Sequence, residues 1–273
     1  MLTNYHTHTT FCDGKNTPEE VILRAMEIGL SAIGFSGHGY TPFDTEYCMK
    51  DTDEYIKEIS GLKEKYGDKI EIFCGAEEDA FACVKRDDFD YIIGSSHYIR
   101  VDGEYYPIDS GADTFKKCLE VSDNDPIKLA ENYYSTFVDY ILKRNPDIVG
   151  HFDLITKYDE IDTQLFSNNT EYLKLAEKYI SKAAEADVIF EMNSGAISRG
   201  LRKTPYLSEN MLYILKSKNS KIMLSSDSHS IETLNFYFEE MEYILRNVGF
   251  NCVYELHKDG FEKRFIWYMY PKK

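Results

Sequence analysis

Six of the seven histidines in this chain close apolar runs. His6 and His8 lie in Tyr5-His6-Thr7-His8. His38 follows Ala32-Ile33-Gly34-Phe35-Ser36-Gly37, and His97 follows Tyr91-Ile92-Ile93-Gly94-Ser95-Ser96. His151 follows Asp147-Ile148-Val149-Gly150, and His229 ends the run that starts at Ile222. Each has a carboxylate or a second imidazole close by, which is the composition of a metal site. His6-Thr7-His8 puts two imidazoles on one side of an extended chain, because side chains alternate. Asp227-Ser228-His229 has the same spacing and offers an oxygen and a nitrogen. Glu77, in Gly75-Ala76-Glu77-Glu78-Asp79, offers a carboxylate able to bridge two ions, with Glu78 and Asp79 as alternatives. Such a mixture suits zinc, manganese or iron; magnesium or calcium would want more oxygen. His257, beside Lys258 and Asp259, stands apart and reads as exposed and silent.

These side chains converge only if the runs that carry them share one face. The runs Ala32–Ser36, Ile70–Gly75, Tyr91–Ser95, Ile148–Gly150, Val188–Met192 and Lys221–Ser225 read as buried parallel strands. Helical stretches alternate with them. Thr17-Pro18-Glu19-Glu20 opens one that runs to Ile28, with a Thr cap, Pro at the first position and acids in the first turn. Asp53–Tyr66, Pro126–Arg144, Glu171–Ala186, Ser208–Lys218 and Ile231–Asn247 are the others. Tyr98–Asn124 reads as a long irregular insertion, and the aromatic stretch Gly260–Tyr270 as a final strand. The alternation predicts an α/β fold with a parallel sheet. In a barrel of this class the loops after the strand C-termini build the site, which gathers the scattered histidines.

Composition narrows the function. The chain has 273 residues, 43% of them hydrophobic, enough for one large core; 1–273 reads as a single domain. Its formal charge of −16 repels a nucleic-acid backbone over most of the surface. No apolar stretch reaches a membrane span, and the N-terminal residues lack the features of a signal peptide, so a cytoplasmic address and no membrane partner are expected. A monomer or homodimer is expected. The six cysteines form no Cys-x-x-Cys and read as reduced thiols. Cys12, between His8 and Asp13, reads as a small apolar filler. The tyrosines at 105, 106, 133 and 134 read as packing and surface residues.

The set from His6-Thr7-His8 through Gly37-His38, Gly75-Ala76-Glu77, Ser96-His97 and Gly150-His151 to Asp227-Ser228-His229 resembles the polymerase-and-histidinol-phosphatase (PHP) superfamily of metal-dependent phosphoesterases. Gly94-Ser95-Ser96-His97-Tyr98, Gly150-His151-Phe152-Asp153-Leu154 and Glu191-Met192-Asn193-Ser194-Gly195 look like its monofunctional histidinol-phosphatase branch. The resemblance implies a distorted seven-stranded (β/α)7 TIM-like barrel holding two or three divalent ions (Zn, Mn or Fe). It would give His6, His8, Glu77 and Asp227 to one ion, and Glu77, His97 and His151 to a second. Asp13, His38 and His229 would hold the third; Asp13 stands where relatives often have histidine. Glu77, Asp227 and His229 would carry catalysis. The implied reaction is hydrolysis of L-histidinol phosphate to L-histidinol and phosphate, in histidine biosynthesis. The alternatives are a phosphatase for another small phosphomonoester, such as a nucleotide or sugar phosphate, or an exonuclease.

The remaining candidates rest on the residues. Arg199 and Arg202 follow a strand end, and each offers a fork for phosphate, with Lys157 a further cation. Glu191, Asn193, Asp109 and Asp153 are candidate acceptors for a cationic substrate.

Overall fold

The computed structural model describes residues 2–266. Seven parallel strands form one sheet, in the order β1 (Leu2–Asn4), β2 (Leu30–His38), β3 (Glu71–Asp79), β4 (Tyr91–Ser95), β7 (Ile148–Val149), β8 (Ile189–Asn193) and β9 (Lys221–Ser225). The sheet curls until its edges meet. Just beyond β1 and β9, Thr7 and Ser228 form a parallel bridge, with His8 N donating to Ser228 O at 2.8 Å. The result is a nearly closed α/β barrel. Among the described residues no helix is long and apolar enough to cross a membrane.

Local chemistry accounts for the outer helices. In α1 (Pro18–Glu27) Thr17 caps the helix as expected, and Glu20 returns a bond to the Thr17 backbone to complete a capping box. Asp51 caps α2 (Thr52–Tyr66), Asp125 caps α4 (Pro126–Arg144) and Asn169 caps α5 (Thr170–Ala183). The others are α3 (Ala112–Val121), the single turn α6 (Gly195–Ser198), α7 (Glu209–Ser217) and α8 (Phe238–Val248). Their apolar faces pack on the outside of the barrel in two clusters, one centred on Phe137, Phe152 and Phe190 and one on Phe35, Ile59 and Ile72.

A third cluster fills the barrel: Tyr5, Phe73, Tyr91, Ile93, Ile148, Ile189 and Met223. The Tyr91 ring crosses the interior, and its hydroxyl donates to Tyr5 O and Phe35 O. A Cβ on Gly75 would lie 2.4 Å from that ring, so only glycine fits there. An antiparallel hairpin, β10 (Cys252–His257) and β11 (Gly260–Phe265), closes the floor opposite the site; Tyr5 donates to Leu256 O.

Several expectations change. Tyr98–Asn124 is not irregular: it forms a hairpin, β5 (Tyr98–Val101) with β6 (Glu104–Pro107), and then α3. Asp102 and Gly103 at φ 51° and 92° supply the two left-handed positions that a tight hairpin turn needs. The stretch expected as one helix from Ile231 starts with a short 3₁₀ turn, and α8 begins only at Phe238, because Tyr237 sits at φ 66°. The final strand exists through Phe265 but belongs to the floor hairpin and not to the barrel; Trp267–Tyr270 lie outside the described residues. Of the tyrosines read as packing and surface residues, Tyr133 and Tyr134 are packing residues, wholly buried in the core. His257 is not silent: its Nδ1 lies 2.8 Å from Glu71 Oε2.

β3 is longer than expected, and this matters for the site. Alternation points Phe73, Gly75 and Glu77 inward and Cys74, Ala76 and Glu78 outward. Outside the barrel, Glu78 accepts two bonds from Arg144 of α4 (2.7 and 2.8 Å), one from Tyr140 and one from Val84 N. This clamp fixes the strand end that carries Glu77.

Candidate metal centre

Six of the seven strands deliver one or two groups to the rim at their C-terminal ends. β1 is followed by His6 and His8, and β2 ends on His38. Glu77 lies in β3, His97 just after β4 and His151 just after β7, and Asp227 and His229 follow β9. Thr7, pointing outward, is bonded to its neighbours through Ser36 and Ser228. That fixes the imidazoles on either side of it.

Glu77 is the hub. Its Oε2 lies 3.3 Å from His6 Nε2, 3.4 Å from His8 Nε2 and 3.0 Å from His38 Nδ1. Its Oε1 lies 3.0 Å from His151 Nε2 and 3.3 Å from His97 Nε2, and accepts from Ser95 Oγ. Asp227 Oδ1 stands 3.3 Å from His8 Nε2 and 3.7 Å from His6 Nε2. Asp13 faces His229 at 3.2 Å, and His8 and His38 at 3.7 Å. Four groups have ligand atoms all within 4.8 Å of one another: His8-Asp13-His38-His229, His6-Glu77-His151, His6-His8-Asp227 and His38-Glu77-His97. The nine residues singled out as ligands therefore come together. They overlap more than the three-way division implies, with His6, His8, His38 and Glu77 each in two groups.

The fit to a cation rests on unpaired atoms. His6 Nε2, His8 Nε2 and Glu77 Oε2 are buried and have no hydrogen-bond partner among the described residues. Unpartnered buried polar atoms are costly, and three converging on one point mark a place built for an ion. Electrostatics agree. Burial pushes against charge on Glu77, yet His6, His38 and His97 draw its pKa well below the carboxylate range. Burial and the imidazoles of His229 and His38 take His8 down to about 3, so it presents a lone pair. Burial opposes charge on His6 too, but the carboxylates of Glu191, Glu77 and Asp227 outweigh it and raise its pKa well above the usual range. The field that would protonate His6 would equally attract a divalent cation. Cys12, against His8, has its thiol pushed up to about 12, chiefly by burial, and is no nucleophile.

A cavity of about 470 Å³ opens above the cluster. Arg199 reaches it from the end of α6, bonded to Asp227 Oδ2 at 2.8 Å and to Asp227 O at 3.1 Å. Lys157 lies on the wall, tied to Asp109.

A model of the PHP domain matches residues 4–195. The chain belongs to the PHP family. Among curated PHP relatives, "Probable histidinol-phosphatase" of Schizosaccharomyces pombe is 28% identical, over 95% of this chain and 92% of its own. Histidinol-phosphatase of Bacillus subtilis is 27% identical, over 86% and 96%. The fold resembles that of histidinol phosphate phosphatase from Lactococcus lactis complexed with zinc, L-histidinol and phosphate, with TM-score 0.73 and 19% identity over 96% of this chain and 98% of that one.

Within this PHP barrel, four predicted substrate-side residues stand away from the open cavity. Arg202 is bonded to Thr156, Thr204 and Glu160, and borders a neighbouring cavity of about 320 Å³ together with Asp153. Glu191 has no free acceptor for a substrate. It takes His6 Nδ1 at 2.8 Å, and His151 N, Ser225 Oγ and Asn193 Nδ2 at 2.7 Å each. Asn193 spends its amide on Glu191 and Gly195 N. Asp79 reads from the sequence only as an alternative ligand to Glu77, whereas its Oδ2 accepts from His97 N at 2.7 Å. Its signal was the i, i+2 spacing from Glu77. Tyr47, Asp44 and Glu46 also line the cavity, and no motif announced them.

Proposed function

We propose that the chain is a metal-dependent phosphoric monoester hydrolase that converts L-histidinol phosphate and water to L-histidinol and phosphate, in histidine biosynthesis. The observation that carries the reading is the convergence of His6 Nε2, His8 Nε2 and Glu77 Oε2, all buried and without a hydrogen-bond partner among the described residues, with Glu77 also lining a cavity that Arg199 borders. The histidinol-phosphatase names of relatives that align over most of the chain support it, as do the zinc, L-histidinol and phosphate held by the Lactococcus lactis structure.

Two or three divalent ions, of zinc, manganese or iron, would be held by His6, His8, Asp13, His38, Glu77, His97, His151, Asp227 and His229. Such ions supply Lewis acidity toward phosphoryl oxygens and make water acidic enough to attack phosphorus near neutral pH. The protein residues do the positioning. Glu77 presents one oxygen to each side of the cluster. Asp227 and His229 face the phosphoryl group beside it. Arg199 offers its fork to the phosphoryl oxygens, and its bond to Asp227 holds that fork at the cavity edge.

Glu191 acts through His6. As the acceptor at Nδ1 it fixes the proton there and turns the Nε2 lone pair toward the centre. Glu191→Gln should weaken metal binding about 10- to 100-fold while saturating metal restores most of kcat. Isothermal titration of the metal-stripped variant with zinc measures this, and wild-type affinity would remove the role.

A substrate panel tests the proposal itself. Histidinol phosphate should be hydrolysed with a higher kcat/KM than p-nitrophenyl phosphate, nucleoside monophosphates or sugar phosphates. Turnover no faster than that of p-nitrophenyl phosphate would reject the named substrate.

A further inference from the structure

Asp153 and Arg202 look like substrate residues by sequence, yet both are turned away from the metal cluster. They border the second cavity, of about 320 Å³, which shares no lining residue with the first among the described residues. The chain divides between the two cavities twice. After β7, Leu154 and Lys157 line the first, and Asp153 and Thr156 the second. After α6, Arg199 lines the first and Arg202 the second. Asp153 and Arg202 are only 1% and 6% exposed, so each charge needs partners.

Arg202 has them. Nε donates to Thr204 O and Nη2 to Thr204 Oγ1, both at 3.2 Å, and Nη1 donates to Thr156 Oγ1. Nη2 also lies 3.2 Å from Glu160 Oε1, and the guanidinium stands 4.5 Å over the Tyr206 ring. Asp153 is only half satisfied. Its Oδ2 accepts from Ser208 N at 3.0 Å, whereas Oδ1 is buried and has no hydrogen-bond partner among the described residues. A carboxylate oxygen held out of water without a donor is costly, and it marks a place where a donor binds.

Charge decides which donor. The lining holds four carboxylates, Asp153, Asp159, Glu160 and Glu209, against two cations, Arg202 and Lys203. Asp159 is committed to Phe166 N and Ser167 N, at 2.8 and 2.7 Å, and Glu160 to Arg202 and Lys203 N. The open buried acceptor is therefore Asp153 Oδ1, in a lining with an excess of negative charge. Much of the remaining wall is apolar: Met192, Leu207, Leu212 and Ile244, with the Tyr172 ring. Such a cavity suits a positive donor on a short hydrocarbon body and repels anions.

We propose that this second cavity binds a small organic ammonium compound with an apolar body, Asp153 Oδ1 accepting from the ammonium. The site stands on its own lining and does not depend on the phosphatase reading.

The test uses three probes of one shape on the metal-loaded full chain: isopentylamine, which is protonated at neutral pH, isopentanol and 4-methylpentanoate. Isothermal titration should show one isopentylamine per chain, with a dissociation constant in the low-millimolar range or tighter. The alcohol and the acid should bind at least roughly tenfold more weakly. Saturating inorganic phosphate should leave amine binding unchanged, because phosphate would occupy the other cavity. D153N keeps an acceptor for Ser208 N but presents an amide where Oδ1 stood, and should weaken the amine at least roughly tenfold. I244W, at a half-buried position on the cavity wall, should weaken all three probes by filling the space. If far-UV spectra show that D153N does not fold, I244W decides alone. Equal binding of amine and alcohol would mean an apolar hollow without a cation site and overturn the proposal. So would displacement of the amine by phosphate, unchanged affinity in folded D153N or I244W, or no binding of the amine, which would leave Oδ1 to water only.

Discussion

Glu77→Gln should leave a folded protein with almost no turnover. The amide keeps the size of the carboxylate and one acceptor oxygen, but it removes the charge and turns a donor toward one side of the cluster. Oε2 faces three imidazoles and Oε1 faces two, so either orientation of the amide brings an N–H₂ against lone pairs that a cation would otherwise meet. A hub that serves both sides cannot be replaced by its neighbours: Glu78 points out of the barrel into the Arg144 clamp, and Asp79 is committed to His97. Metal charge is worth several kcal/mol to a phosphoryl transition state, so kcat/KM should fall by about three to four orders of magnitude. Metal analysis by mass spectrometry should show at least one ion lost per chain. Full metal content with kcat within tenfold of wild type would break the assignment of Glu77 as the shared ligand.

Much of this centre was legible because a parallel barrel converts sequence position into spatial position. A residue at the end of an apolar run must lie on the rim, and six histidines at six such ends must meet. The Thr17 cap and the Pro126 helix start were equally local, and both appear as expected. What sequence could not supply was direction. Arg199 and Arg202 are three residues apart, but α6 has ended between Gly195 and Arg199 and the chain turns at Gly200 (φ 71°). One guanidinium enters the reaction cavity and the other a neighbouring one. Glu191 reads as a strand-end carboxylate open to substrate. Only the packing of β7, β8 and β9 around it shows its oxygens already taken. The residues 39–51 carry no periodicity and no motif, so the wall they form is visible only in three dimensions. Tyr98–Val101 and Glu104–Pro107 flank an Asp-Gly turn, a hairpin signal that the polar character of the whole stretch obscured.

Stripping the metal should lower stability as well as abolish activity. The cluster places His6, His8, Glu77 and His151 almost wholly out of water, with three ligand atoms lacking any hydrogen bond. An unfolded chain binds a divalent ion far more weakly than nine converging ligands, so the ion acts as a ligand of the folded state. At free metal a hundredfold above Kd, each occupied site adds about 2.7 kcal/mol, and two independent sites about 5 kcal/mol. For a chain of this size that corresponds to a shift in Tm of roughly 10–20 °C. Dialysis against a strong chelator should therefore give an inactive protein that melts at least roughly 10 °C lower. Zinc, manganese or iron returned in slight excess should restore both properties together. The two readouts share one cause, so they must move together as metal is titrated back. A metal-free preparation, verified by mass spectrometry, that keeps its Tm and its turnover would refute the metal centre altogether. The Glu191→Gln variant should melt lower than wild type at every free metal concentration, since its affinity is reduced and its amide nitrogen faces buried donors that the carboxylate accepted from.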